Sequence, residues 1–256
     1  MSVFQNVDLS SFPAKLTSKN ILSAIVDIVF DTNNLPQEVI LGSLYASDII
    51  RKNYYNPIST GINDIPKNAR KADPNLRNAI LFNFNHKESK FRIGCGDNII
   101  SLANLNFAYD TWDIFVKELD VILNVMNAFL QKKEKIGVRY INVFQENIID
   151  NLNIELKVLN NKIINNNFSF TFEDTFENRK IISRISNGIS YNFIDLANPT
   201  NKRIINNASA FDIDVVFTDK NKISANLKEE INISHNILKK VFFSTLKKDF
   251  INKLSI

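Results

Sequence analysis

Three strand-like segments joined by short turns lie between residues 79 and 105, and they constrain the fold more than any other part of the sequence. They run from Ala79 to His86, from Phe91 to Cys95 and from Ile99 to Leu105. The turn Gly96-Asp97-Asn98 supplies residues that tolerate the positive φ angles of a tight hairpin. Because strands joined so closely pair antiparallel, this stretch predicts an antiparallel meander.

A long amphipathic helix is predicted after the meander. Asp110 can serve as its N-cap, and Lys132-Lys133 place two cations near its C-terminal end, where the helix dipole favours them. Its apolar residues recur at helical spacing and comprise Phe115, Leu119, Ile122, Leu123, Met126 and Leu130. Ile136 to Phe144 then predicts a further strand.

The chain before the meander predicts a strand, a helix and a loop. Ile21 to Phe30 is apolar at nearly every position and rich in β-branched residues, which is typical of a buried strand. Pro36 suits the first turn of a helix that begins there. Asn53 to Leu76 carries three prolines and many polar residues, so we expect a long surface loop.

The second half of the sequence repeats the order of strands followed by a helix. Phe168 to Phe172 alternates apolar and polar residues. Lys180 to Ile185 and Ile189 to Leu196 flank Asn187-Gly188, a strong hairpin signal. Phe211 to Phe217 predicts another strand, and Ile223 to Leu254 a long amphipathic helix.

These patterns predict an α+β fold made of two related units, each with antiparallel strands followed by a long helix packed on one face of the sheet. The boundaries are 1–146 for the N-terminal unit and 147–256 for the C-terminal unit. The order of elements alone leaves open whether the two units share one sheet.

The residue inventory favours a protein without catalytic, cofactor or metal sites. The chain has two histidines, one cysteine and six glycines, too few for a zinc cluster or a glycine-rich phosphate loop. Cys95 is expected to be a small packing residue, and His235 belongs to the apolar stripe of its helix. Asp212 and Asp214 share one strand face, but no third acidic ligand follows at a suitable spacing for Mg²⁺.

Arg139 is the one charged residue for which the sequence predicts a specific partner. It shares a strand face with Ile141 and Val143, so its stem should be buried and its guanidinium must find acceptors. Asp212 and Asp214 occupy a comparable face of another strand. We therefore predict a structural ion pair between Arg139 and one of these two carboxylates.

A basic stretch around residues 67–92 supports a second hypothesis. The net charge is +4 and the pI is near 9.0, a mild electrostatic signal. Phenylalanines alternate with cations here, which suits a stacking surface for bases, although the same pattern fits phenylalanines that point into a core. The candidate anion-binding or nucleic-acid-binding residues are Lys67, Arg70, Lys71, Arg77, Lys87, Lys90 and Arg92.

The C-terminal helix has more apolar residues than one buried stripe requires. Besides the stripe, Ile237, Val241 and Phe243 widen its apolar surface. Two explanations remain open, burial on both sides within the chain, or an exposed patch covered by a partner protein or a second copy.

Several short motifs, in order, resemble a sporadically distributed bacterial family of uncharacterised function. They are an R-Y-I-N strand at Arg139 to Asn142, a D-x-D strand at Asp212 to Asp214, and a helix carrying His235 before Phe242-Phe243. The resemblance implies no enzyme activity. The family's patchy distribution implies an antitoxin-like, chaperone-like or phage-defence accessory role.

The functional expectation is therefore a non-catalytic protein that binds another protein. The alternative is a nucleic-acid or nucleotide binder that uses the basic stretch. The N-terminal residues have neither a basic nor an apolar run of the secretory type, and no apolar run has the length of a membrane span. We accordingly expect a cytoplasmic location, no membrane partner and no cofactor.

Overall fold

The structure is a computed structural model of the chain. It describes residues 8–13, 16, 19–31, 37–127, 130–155, 157–158, 161–162, 167–194 and 202–255.

Nine of the strands form one antiparallel sheet, which confirms the α+β class. In chain order the strands are β1 (Ile21–Phe30), β2 (Ile58–Ser59), β3 (Ile80–Asn85), β4 (Phe91–Gly96), β5 (Ile99–Leu105), β6 (Lys133–Phe144), β7 (Lys157–Val158), β8 (Asn161–Lys162), β9 (Phe168–Phe176), β10 (Arg179–Ile194) and β11 (Lys202–Phe217). The large sheet has the order β2-β3-β4-β5-β1-β6-β11-β10-β9, and β7 pairs separately with β8. Strands from both sides of residue 146 therefore lie in one sheet.

Seven helices lie among the described residues, and most of them bury apolar side chains in the core of this sheet. They are α1 (Gln37–Ala46), α2 (Asp48–Asn53), α3 (Lys67–Ala72), α4 (Trp112–Met126), α5 (Lys220–Ala225), α6 (Leu227–Thr245) and α7 (Lys248–Leu254). The side chain of Thr111, rather than that of the predicted Asp110, caps α4 by accepting a hydrogen bond from Ile114 N. The segment predicted as a loop before residue 76 contains β2 and α3.

The predicted long C-terminal helix is three helices. Asn226 separates α5 from α6, and its side chain accepts a hydrogen bond from the Glu229 backbone N–H as the N-cap of α6. Leu246 ends α6 because its backbone is extended and forms an antiparallel bridge with Leu152. An amphipathic stripe alone does not reveal such interruptions, since the apolar residues on either side still face the same core.

The predicted hairpin at Asn187-Gly188 is wrong. β10 continues through this dipeptide, and Gly188 has a φ of +69° where the pairing with β11 shifts register. The dipeptide therefore forms a β-bulge, which uses the same backbone freedom of glycine as a hairpin does. The turn between β9 and β10 is instead Glu177-Asn178, whose φ angles are 50° and 62°.

Alternation along the strands divides the sheet into a core face and a polar face. On β6, Ile136, Val138 and Tyr140 are buried on the core face, against α6 and its neighbours. Gly137, Arg139 and Ile141 point the other way. We call this opposite surface, which faces away from α4 and α6, the polar face.

Candidate functional site

Arg139 forms a bidentate ion pair with Asp212 on the polar face. Its Nε and Nη2 atoms donate hydrogen bonds of 2.8 Å and 2.7 Å to the two carboxylate oxygens. Arg184 on β10 donates a third bond, of 3.1 Å, to Asp212 Oδ2. The Asp212 side chain is 12% exposed and each arginine side chain 38% exposed. The carboxylate is thus held between two guanidinium groups that still reach solvent.

Asp214 lies directly across from Arg139 in the sheet register, yet Arg139 reaches diagonally to Asp212. Among the residues that the structure describes, Asp214 accepts no hydrogen bond. Burial raises the pKa of Asp214, and the Arg139 guanidinium opposes that rise. Burial likewise raises the pKa of Asp27 on β1, against a hydrogen bond from Ser101.

Gly137 separates these two acids on the intervening strand. A Cβ atom added to Gly137 would lie 3.7 Å from Asp214 Oδ1 and 3.9 Å from Asp27 Cβ. The bare backbone of Gly137 therefore leaves a hollow between two carboxyl groups. Within the described residues, no group of three or more His, Cys, Asp or Glu side chains is arranged to hold a metal ion.

The seven basic residues of the nucleic-acid hypothesis do not form one surface. Arg70 is buried and donates to Asp97 Oδ2 from Nε and Nη2 at 3.1 Å and 2.8 Å, and Lys67 lies 3.6 Å from the same carboxylate. Lys87 donates to the carbonyl oxygens of Arg51 and Lys52 at the end of α2.

Asp97 follows the C-terminal end of β4 and Lys87 precedes its N-terminal end, and the six residues of this strand span about 20 Å. Lys71 and Arg77 are exposed near the first end, while Lys90 and Arg92 are half-buried toward the second. Burial lowers the pKa of Arg92. A hollow of about 350 Å³ near the second end is lined by Tyr55, Asn85, His86, Lys87 and Lys90 among others.

Ile237, Val241 and Phe243 are buried within the chain, at 2%, 0% and 6% exposure. The ring of Phe12 stacks on Phe243 with the ring centroids 4.8 Å apart. The widened apolar surface of α6 is therefore covered from inside the chain, which is the first of the two explanations. These residues do not present a free interface.

His235 and Cys95 are also core residues. The His235 ring stacks on Trp112 at 4.0 Å between centroids, and its Nδ1 lies 3.0 Å from the Tyr140 hydroxyl oxygen. The hydrogen-bond partner of His235 is thus the side chain of Tyr140. Burial raises the pKa of the Cys95 thiol to about 12, so this cysteine is a packing residue with little thiolate character.

The alternating phenylalanines of Phe168 to Phe172 predict a strand, but the sequence does not reveal that this strand, β9, lies at an edge of the sheet. It pairs with β10 at all nine positions without a register shift, and it ends the sheet as far as the described residues extend. Its sequence, FSFTFEDTF, contains no proline, glycine or cation. Natural edge strands are usually short or carry prolines, charged side chains or bulges that block further pairing, and of these devices β9 has only the two acids Glu173 and Asp174.

One side of β9 carries a row of phenylalanines. Phe168, Phe170 and Phe172 stack in sequence, with centroids 5.8 Å and 6.2 Å apart, and Lys240 of α6 lies 5.5 Å from the centre of the Phe176 ring. All four rings are only partly buried. An additional strand beside β9 would cover them further.

No protein-family model, curated protein or solved structure matches this chain. None of the helices among the described residues is both long and apolar enough to cross a bilayer.

Proposed function

We propose that this chain is a non-catalytic binding protein that recognises an extended segment of another polypeptide chain by adding it as a strand beside β9. The observation that carries the proposal is the nine-residue edge strand β9, beyond which no strand of the described residues pairs, together with its partly exposed phenylalanines. An added strand forms main-chain hydrogen bonds with such an edge, and alternate side chains give specificity.

The chemistry of β9 describes the segment that it would accept. Apolar side chains on one side of the segment would rest against Phe168, Phe170 and Phe172. Basic side chains would add to the ion pair that Glu173 already forms with Lys180, because β9 itself carries two acids and no cation. Segments that alternate apolar and polar residues and carry lysine or arginine near their ends are therefore the expected ligands.

The test uses a synthetic peptide of alternating valine and threonine with lysine at both ends. Amide hydrogen exchange of the full chain, with and without the peptide, should show new protection confined to β9. Protection elsewhere would refute strand addition at this edge, and so would no protection at millimolar peptide in a chain whose β9 amides exchange freely without the peptide.

A matched pair of proline variants separates binding from folding. Adjacent residues of an edge strand direct their amides to opposite sides, so only one of Thr171→Pro and Phe172→Pro removes an amide bonded to β10. That variant should lose stability. The other should fold and fail to bind the peptide, and peptide binding by a folded proline variant with unchanged affinity would contradict the proposal.

The biological setting follows from the resemblance alone. An antitoxin-like, chaperone-like or phage-defence accessory protein acts by holding an exposed segment of a partner, and strand addition is one means of doing so. We propose this role in the cytoplasm, with the identity of the partner chain to be read from proteins cross-linked to β9.

A second candidate function is nucleotide or nucleic-acid binding, and the hollow beside β3 favours it. Tyr55 is 56% exposed at this hollow and offers a stacking surface, with Lys87 and Lys90 nearby. Binding of an oligonucleotide should be weak and should fall steeply with salt, because neutralised phosphates release counterions. Tight, salt-resistant binding that Tyr55→Ala abolishes would promote this candidate over the first.

A further inference from the structure

We infer that the strand that β9 accepts is β9 of a second copy of this chain, which makes the protein a two-fold symmetric dimer with one continuous sheet. This inference rests on the proposed function, because it names the occupant of the same edge. The argument comes from the register and charge pattern of β9 and from the contrast between the two edges of the sheet.

Antiparallel self-pairing centred on Phe172 pairs three of the four phenylalanines of β9 with one another, and Phe170 is the exception. In this register Phe172 faces its own copy, Phe168 faces Phe176, and Ser169 faces Thr175. All nine residues of the strand are used. Direct aromatic pairs across strands stabilise a sheet, and here they extend the row of partly exposed phenylalanines from one copy into the other.

The charges of β9 also fit this register. Glu173 faces Thr171 of the second copy and Asp174 faces Phe170, so no two acids are directly opposed. Registers centred on Glu173 or Asp174 would oppose identical carboxylates and are disfavoured. Glu173 additionally has Lys180 of its own chain at 2.7 Å, which offsets its charge beside the two-fold axis.

The helices leave room for the second copy. The backbone of α6 lies mainly against β6 and β11, and long side chains of α6, such as Lys240 over the Phe176 ring, reach outward to β9. Two strands add about 10 Å of sheet at the usual strand spacing. The second sheet can therefore approach β9 edge to edge without the two helical layers colliding.

The opposite edge explains why pairing would stop at two copies. β2 is only two residues long and follows Pro57, and both features discourage strand addition. Within its described residues, the large sheet of each chain thus offers one competent edge. Self-pairing through a single edge is isologous and closes as a dimer, whereas two competent edges would propagate into a filament.

The first experiment measures the mass of the full chain in solution by light scattering over a range of concentrations. We expect twice the 29.3 kDa of one chain. Phe172→Lys places two ammonium groups directly opposite each other and should raise the dimer dissociation constant by about tenfold or more. Thr171→Lys adds the same charge one residue away but faces Glu173 of the second copy, so it should keep the dimer. A monomeric wild type, or equal loss of dimer in both variants, would overturn the inference.

The second experiment reads the register. Cys95 is buried and is the only cysteine, so an engineered cysteine on β9 is the only accessible thiol. Under oxidation, Phe172→Cys should form a disulfide-linked dimer, because this residue faces itself, while Ser169→Cys should not. Linkage at Ser169 in preference to Phe172 would refute the stated pairing.

Failure of the dimer and failure of the proposed function give different results. If the wild type is monomeric yet the valine–threonine peptide protects β9 from exchange, the second copy is the wrong occupant and strand addition stands. If the monomeric Phe172→Lys variant gains no protection from the peptide while the wild type is a dimer and Phe172→Cys forms the disulfide link, the edge serves self-association and recognition of other proteins is refuted.

Discussion

The His235 side chain on α6 is buried beside Trp112 and Tyr140, and this position predicts a loss of stability in acid. Only 7% of the residue is exposed, and it stacks on the indole ring at 4.0 Å. Burial, with a smaller contribution from the Lys239 ammonium, lowers the pKa of His235 from 6.5 to about 3. The folded protein therefore holds the neutral imidazole, whereas the unfolded chain binds a proton near pH 6.5.

The direction and size of the effect follow from this difference. Because the pKa of the folded state is lower, the stability that His235 contributes is complete above pH 6.5 and is lost as the pH falls from 6.5 toward 3. Each pH unit in that interval costs about 1.4 kcal/mol. At pH 4.5 the loss is about 3 kcal/mol, a large part of the stability of an ordinary domain.

The assay compares urea unfolding of the wild type and of His235→Phe at pH 7 and at pH 4.5. Phenylalanine keeps the stacking on Trp112 but does not titrate, and the contributions of the carboxyl groups are common to both proteins and cancel. The stability difference between the variant and the wild type should shift in favour of the variant by about 3 kcal/mol between the two pH values. Parallel pH profiles would refute the reasoning.

Three further predictions concern the polar face and two glycines. Arg139→Ala should lower the free energy of urea unfolding by about 1–2 kcal/mol, less than for a fully buried pair because Arg139 is 38% exposed and Arg184 still holds Asp212. Asp27→Asn should stabilise the protein at pH 7, because burial raises the pKa of Asp27 and its ionisation therefore disfavours the folded state. This advantage should be lost as the pH falls toward 3.8. Urea unfolding of the variant and the wild type at several pH values measures the difference. Gly96→Ala should destabilise the protein by about 1–3 kcal/mol in thermal unfolding, because the added Cβ would lie 2.2 Å from the Ala79 carbonyl oxygen. Gly42→Ala in α1 should instead stabilise the protein by about 0.5–1 kcal/mol, because its added Cβ has open space.

Local patterns predict which face a residue occupies but not which distant residue it meets. Alternation placed Asp212 and Asp214 on one face of their strand, and it placed Arg139 on the corresponding face of another. The register between these strands decides the pairing. It sets Asp214 directly across from Arg139, yet the long guanidinium side chain reaches diagonally to Asp212. Only the three-dimensional arrangement distinguishes the two carboxylates.

The basic residues show the same limit for charge. Arg70 belongs to a run of cations in the sequence, and this run predicts a surface patch that includes Lys71 and Arg77. In the fold its guanidinium is buried on Asp97, a residue of the β4–β5 turn that is 27 positions away. Counting charges along the chain cannot identify those already neutralised by a partner from elsewhere in the sequence.

The misjudged dipeptide Asn187-Gly188 also defines the edge on which the proposed function depends. β9 pairs with β10 from Arg179 to Asn187, and the bulge begins directly after this stretch. Beyond the bulge, Ile189 and Tyr191 pack on Val143 and its neighbours. Since bulges bend a strand and increase its twist, Gly188 directs the outer part of the β10–β11 hairpin onto the sheet instead of leaving it as additional free edge. The regular edge is therefore limited to the nine residues of β9, which is the length that self-pairing centred on Phe172 uses completely.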